Sequence, residues 1–378
     1  MKTIIAALEH PDRVRYLGLD LTCFQLEKMV MVMQAPFPVL TSLLISCHTT
    51  GYKPALPDDF LGGSAPCLQE VHFTGIPFPA LPTLLLSASD LVTLILYDIP
   101  SNGYFSPEAM IAALAGLPML QNLIINFKFA NTQLDPTHLP PPTTRVVLPA
   151  LTSFDFQGTN EYLEVLVTRI VGAQLSRIWI AYLDHSLDFP VAQFSKFFHR
   201  SVSPDISPFT LARFYFCFDS LTFSMFRHGS NHLSPDFSLA CVCEHVTWRQ
   251  VSQMAQAISQ FSSISSTVVH LNLDVAYAEY REFEGTGGEW LHFFSQFSMV
   301  RALHVSWRFA GHVALAMEYI TEEMVAEVWP SLDSICLGGH LTSSVKKFIA
   351  ARQLSGHPVT VCTEIEFIQR VRSYVRDS

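Results

Sequence analysis

A six-residue pattern with apolar side chains at its first, fourth and sixth positions recurs along the chain. It starts at Val14 (VRYLGL), Leu40 (LTSLLI), Leu68 (LQEVHF), Leu91 (LVTLIL), Leu120 (LQNLII) and Leu151 (LTSFDF). It continues at Leu175 (LSRIWI), Leu211 (LARFYF), Cys243 (CEHVTW), Val268 (VVHLNL), Val300 (VRALHV) and Leu332 (LDSICL). Alternation across the fourth to sixth positions predicts strands with one face turned to a core. Between the strands the apolar period lengthens to that of a helix. The clearest case follows LTSFDF, where Leu163, Leu166, Val167 and Ile170 fall on one helical face between Gly158 and Gly172. Similar faces are Leu26, Met29, Val30 and Met33; Val251, Met254, Ile258 and Phe261; Leu291, Phe294 and Phe297; and Val345, Phe348 and Ile349. Ser106-Pro107-Glu108 has the N-cap and first-turn proline of a helix running to Leu114.

Successive pattern starts lie 23 to 36 residues apart. Leucine-rich repeats have periods of about 20–29 residues, and insertions account for the longer gaps. The spacing therefore predicts an α/β fold: an irregular leucine-rich-repeat solenoid, or horseshoe, of about twelve repeats, with a parallel concave sheet and helices on the convex side. Each unit packs on its neighbours, so residues 1–362 can form a single solenoid domain, with residues 363–378 as a C-terminal cap or tail. Three segments interrupt the pattern. Residues 131–149 are proline-rich, residues 220–240 read as an inserted hairpin (LTFSMF, a polar turn, FSLACV), and residues 279–288 read as a charged, glycine-rich loop. The turn position that regular leucine-rich repeats fill with Asn or Cys has no such ladder here, which makes the array an irregular one.

Composition agrees with a long packed core: 49% of the 378 residues are hydrophobic and only 15% are charged. The net charge of −10 argues against a nucleic-acid partner. No run of about 18 apolar residues reads as a membrane span, and the N-terminus does not read as a signal peptide. The eight cysteines form no CxxC pair and mostly sit in apolar strand patterns. These features together predict a reduced protein of the cytoplasm and/or nucleus. Cys241 and Cys243, with Glu244 and His245, come nearest to a metal cluster, but no second ligand pair is in reach. No cofactor and no metal are expected. No GxSxG, GxxxxGK[ST], GxGxxG after a strand or HExxH occurs, so no catalytic residues are assigned.

The third, fifth and seventh positions of each strand point away from the core. The third positions of four consecutive motifs are Arg177, Arg213, His245 and His270. Trp179 and Tyr215 stand at the fifth positions beside the arginines, and Arg249 is at a seventh position. A column of like charges is unfavourable across neighbouring strands. It is relieved by nearby Asp155 and Asp274 and by arginines lying over Trp179 and Tyr215, or by an anionic partner, or the column is an error of register at Leu211 and Cys243, next to the inserted hairpin. The second reading makes Arg177, Trp179, Arg213, Tyr215, His245, Arg249 and His270 the contacts for a protein or peptide, acidic or phosphorylated.

The blocks IIAALEHPDRV, FLGGSAPCLQEVHFTGIPFPALPTLLLSASDLV, PPPTTRVVLPALTSFDFQGTNEYLEVLVTRI and KKFIAARQLSGHPV resemble the C-terminal leucine-rich-repeat region of basidiomycete F-box-like proteins. The resemblance runs from about Ile4 to Val361. It implies a fungal intracellular protein whose repeats hold the substrate of a cullin-type ubiquitin ligase. An F-box should precede Ile4 and does not, so a Skp-type adaptor is expected to bind only if that box is restored. The alternative is a stand-alone leucine-rich-repeat scaffold with no link to a ubiquitin ligase.

Overall fold

The structure is a computed structural model that describes residues 4, 8–48, 53–57, 59–78, 84–129, 145–183, 191–202, 207–217, 219–229, 234–243, 246–261, 265–275, 286–321, 324–325, 327–338, 341–363 and 366. The chain forms two compact units. The first is Met1–Leu183 with Ala192–Ser203, and the second is Asp184–Val191 with Pro204–Ser378.

In the first unit the strands run β1 (Tyr16–Asp20), β2 (Ser42–Ser46), β3 (Glu70–Thr74), β4 (Thr93–Ile99), β5 (Asn122–Phe127), β6 (Val146–Val147), β7 (Ser153–Gly158), β8 (Ile170–Val171) and β9 (Arg177–Tyr182). All but β6 and β8 lie side by side in chain order, and each neighbouring pair is parallel. Their register is pinned where the strands begin. The carbonyls of Arg15, Thr41, Gln69, Val92, Gln121 and Thr152 accept in turn from the N–H groups of Thr41, Gln69, Val92, Gln121, Thr152 and Ser176. Helices α1 (Cys23–Val32), α2 (Pro107–Leu114), α3 (Asn160–Arg169) and α4 (Ala192–Ser201) follow the predicted helical faces or fill the space between strands. Thr22 and Gln25 form a capping box on α1, and Ser106 Oγ accepts from Ala109 N at 3.2 Å on α2. The α4 N-terminus is capped from the preceding repeat, since the Glu164 carboxylate accepts from Gln193 N and Phe194 N, both at 2.9 Å. The core-facing strand positions meet these helices. Phe154 lies 6.1 Å from Phe197 of α4, and Phe156 stacks 5.6 Å from Tyr162 of α3.

Part of the segment expected as an insertion at 131–149 is structured instead. Val146 and Val147 form β6, which pairs in parallel with β8 as a separate two-stranded sheet. Burial of Val146 and Leu148 drives this. Residues 131–144 lie outside the described residues.

The second unit contains β10 (Phe209–Phe216), β11 (Ser220–Arg227), β12 (Phe237–Val242), β13 (His270–Val275), β14 (Ala302–Val305), β15 (Ser334–Leu337) and β16 (Thr360–Cys362). The order across its sheet is β12-β11-β10-β13-β14-β15-β16. β10, β11 and β12 are antiparallel neighbours, and the pairs from β10 through β13 to β16 are parallel. The hairpin expected at 220–240 therefore forms, but inside the sheet and not as an appendage to it. Among the described residues of the motif at Cys243, none lies in a strand. Trp248 opens helix α5 (Trp248–Ser259), because Thr247 and Gln250 make a capping box there. Helices α6 (Gly287–Ser295), α7 (Ala310–Glu318) and α8 (Ser343–Leu354) complete the unit.

The loop expected at 279–288 ends earlier than its composition implies. Thr286 and Glu289 form a capping box, so Gly287 and Gly288 belong to α6. Gly287 is needed there because a Cβ would collide with the Leu315 carbonyl and the Tyr319 ring. Residues 279–285 lie outside the described residues, as does most of the tail, of which Thr363 and Glu366 are described and cap one another. Phe214 of β10 packs 4.7 Å from Phe293 of α6, and Phe216 packs 4.9 Å from Phe309, just before α7. Among the described residues no helix is long and apolar enough to cross a membrane.

Candidate partner-binding face

The face of the first unit's sheet turned away from the helices carries two rows in strict register. Tyr16, Ser42, Glu70, Thr93, Asn122, Ser153 and Arg177 stand opposite one another on successive strands. So do Gly18, Leu44, His72, Ile95, Ile124, Asp155 and Trp179. The repeat pattern predicts both rows, position by position. The first row is polar and internally bonded. Ser42 Oγ donates to Glu70 Oε2 at 2.8 Å, Asn122 Nδ2 to Thr93 Oγ1 at 3.3 Å, and Arg177 Nε to Ser153 Oγ at 3.1 Å. The second row is mainly apolar yet half-exposed: Leu44, Ile95, Ile124 and Trp179 all keep contact with solvent.

Two titratable groups on this face are shifted, each chiefly by burial. The Asp155 carboxyl is pushed up from its ordinary 3.8 to about 6; Arg177 pulls it the other way without prevailing. His72 is pushed down from 6.5 by burial, with Glu70 opposing. For Asp155 the folded-state value lies above the unfolded one. Its contribution to stability is therefore full below about pH 4 and is lost as pH rises through about 6. Asp155→Asn is expected to raise the melting temperature at pH 7.5, by up to ~3 kcal/mol in stability, with the gain vanishing near pH 4. A gain of the same size at both pH values would show that the carboxylate's charge is not the cause.

Within the second unit the predicted basic column does not take the register that the repeats imply. Arg177 and Trp179 lie on β9 of the first unit, with Arg177 exposed and Trp179 half-buried. Arg213 and Tyr215 lie on β10 of the second unit, which has β11 on one side and β13 on the other. Arg213 therefore faces Ser224 and Asn272. The register between β10 and β13 is also displaced by two residues from the repeat alignment, so that His270 stands opposite Leu211 and not opposite Arg213. A shift of two preserves the faces, which is why alternation alone does not reveal it. The Arg213 guanidinium lies 5.5 Å from the Phe226 ring, not over Tyr215 or Trp179. His270 is only 4% exposed and is no surface contact. Arg249 is exposed on the first turn of α5, not on a strand, and His245 lies outside the described residues.

The same face of the second unit differs in burial. Ala302, Ser334, Cys336 and Cys362 are buried there, along with His270 and with His304, whose Nδ1 is 2.8 Å from Asn272 Oδ1. β14 is buried at every position. The small side chains of Ala302, Ser334 and Cys336 were the available sign of strands covered on both faces. In the first unit, the signal overlooked at Asp155 was a carboxylate held between Phe154 and Phe156 with an isoleucine and a tryptophan as cross-strand neighbours.

Compared with family models and with curated proteins, the chain matches none. Among solved structures it is similar to the leucine-rich repeat-containing protein LegL7 from Legionella pneumophila, at 13% sequence identity and a TM-score of 0.33, over 91% of this chain and 99% of that one.

Proposed function

We propose that this protein is a non-catalytic interaction module that holds a protein or peptide segment on the helix-free face of its first unit. The observation that carries this reading is the half-exposed row Leu44, Ile95, Ile124 and Trp179, set in register beside a polar row. Trp is among the residue types that dominate interface energetics. The sequence blocks that resemble basidiomycete F-box-like proteins favour a narrower version, in which the segment held is a substrate of a cullin-type ubiquitin ligase. In a pull-down from a basidiomycete extract, Ile124→Glu with Trp179→Glu is expected to lose the proteins that the wild type retains, with thermal unfolding little changed. Retention of the same proteins by both would sink the reading. The ubiquitin-ligase version is tested by joining an F-box ahead of the chain. It requires that the chimera bind a Skp-type adaptor and that the retained proteins become ubiquitinated.

A further inference from the structure

Asp155 is the side chain on this face that the reading above leaves unexplained. Ile124 of β5 stands on one side of it and Trp179 of β9 on the other. Its Oδ1 is buried and has no hydrogen-bond partner among the described residues. The Nε of nearby Arg177 donates instead to Ser153 Oγ at 3.1 Å. An acceptor left without a donor destabilises the fold that carries it. The unmet need on this face is thus for a donor, the opposite of what the arginines alone would imply.

The surroundings of that oxygen select the kind of donor. An indole face next to a carboxylate accepts the alkyl stem and cationic head of Lys or Arg. A second carboxylate, Glu70, lies on β3. From β3 to β7 there are three strand steps through β4 and β5, about 14 Å at ~4.8 Å per step, and Glu70 is offset from the Asp155 row by two residues along the strand, so the two positions lie about 16 Å apart. An extended chain rises about 3.3 Å per residue, so four residues cover about 13 Å of that distance and the length of a Lys or Arg side chain covers the rest, and residues i, i+2 and i+4 of such a chain point the same way. The side chain at i+2 then falls over Ile95 and Ile124, the apolar part of the row.

We propose that the helix-free face of the first unit binds an extended peptide lying across the strands, with basic side chains at i and i+4 and an aliphatic one at i+2. One basic side chain sits between Asp155 and Trp179, the aliphatic one on Ile95 and Ile124, and the other basic one at Glu70. This deepens the proposed function and rests on it, while replacing the acidic partner inferred from the basic column with a basic one.

The test is selection of a random linear-peptide display library on the full chain. Affinities of the enriched peptides are then measured for wild type, Asp155→Asn, Glu70→Gln, Arg177→Ala and Trp179→Ala. Enriched peptides are expected to carry Lys or Arg at i and i+4. Their affinity should fall roughly tenfold or more in Asp155→Asn and in Glu70→Gln, and hold or rise in Arg177→Ala. Asp155→Asn is expected to fold at least as well as wild type, so its loss of binding is not a loss of structure. Peptides that need Trp179 but are acidic, are indifferent to Asp155→Asn, or are lost in Arg177→Ala would overturn the basic motif and leave the binding face standing. Peptides indifferent to Trp179→Ala, or no enrichment at all, would overturn both.

Discussion

Arg352→Ala is expected to destabilise the second unit by roughly 3–5 kcal/mol, measured by urea denaturation against the wild type. Arg352 projects from α8 and is 1% exposed. Its Nη1 donates to Val325 O at 3.2 Å, and its Nη2 to Leu332 O at 3.0 Å and Pro330 O at 3.4 Å. The stretch from Val325 to Leu332 contains Trp329, which has a left-handed φ of 49° and donates its indole N–H to Phe294 O at 3.1 Å. The guanidinium thus ties three carbonyls of this stretch to α8. Truncation removes a large buried side chain and strips three carbonyls of a donor. Arg352→Met separates the two effects. It restores most of the volume without the donors, so its loss should be about half that of the alanine variant. An alanine variant within ~1 kcal/mol of wild type would show that the tether is not what holds the segment.

Tyr162→Ala should destabilise the first unit by a comparable ~3–5 kcal/mol. Tyr162 lies on α3, its ring centroid 5.0 Å from Phe127, 5.6 Å from Phe156, 6.1 Å from Tyr104 and 6.5 Å from Phe105. It joins the side chains of three repeats, with mostly edge-to-face contacts of the kind aromatic quadrupoles favour. Its hydroxyl is buried and has no hydrogen-bond partner among the described residues, and burial raises its pKa well above 10. The ring and the hydroxyl therefore act in opposite directions. Tyr162→Phe keeps every ring contact and removes a desolvated hydroxyl, so it is expected to be neutral or to stabilise by up to ~1 kcal/mol. Equal losses from the two substitutions would place the stabilisation in the hydroxyl and refute this assignment.

How far the fold was legible depended on how local each question was. In the first unit the six-residue pattern gave both the strands and their mutual register, down to Ser153 opposite Arg177 and Asp155 opposite Trp179. Each strand there is entered through an equivalent backbone bond to the strand before it, so the apolar phase carries over unchanged from one repeat to the next. At β10 that transfer fails. The strand is eight residues long, from Phe209 to Phe216, and apolar side chains at Phe209, Leu211, Ala212, Phe214 and Phe216 allow two phases. The same stretch takes an antiparallel neighbour in β11, which a repeat alignment has no means of placing. The CEHVTW motif at Cys243 failed for a local reason, since Thr247 and Gln250 cap a helix inside it.

The candidate site divides in the same way. Alternation along each strand placed Arg177 and Trp179 on the open face, because side-chain direction has period two and needs only the local sequence. Which strands become neighbours, and whether a second layer covers their outer face, depends on contacts between residues far apart in the chain. Tertiary structure therefore placed Arg213 opposite Ser224 and Asn272 and buried His270. It also left Asp155 desolvated between Ile124 and Trp179. The sequence by itself determined the repeating units and the face each side chain takes. The tertiary structure decided which side chains stand opposite one another across the strands, because strand neighbours and register are set by contacts between residues far apart in the chain.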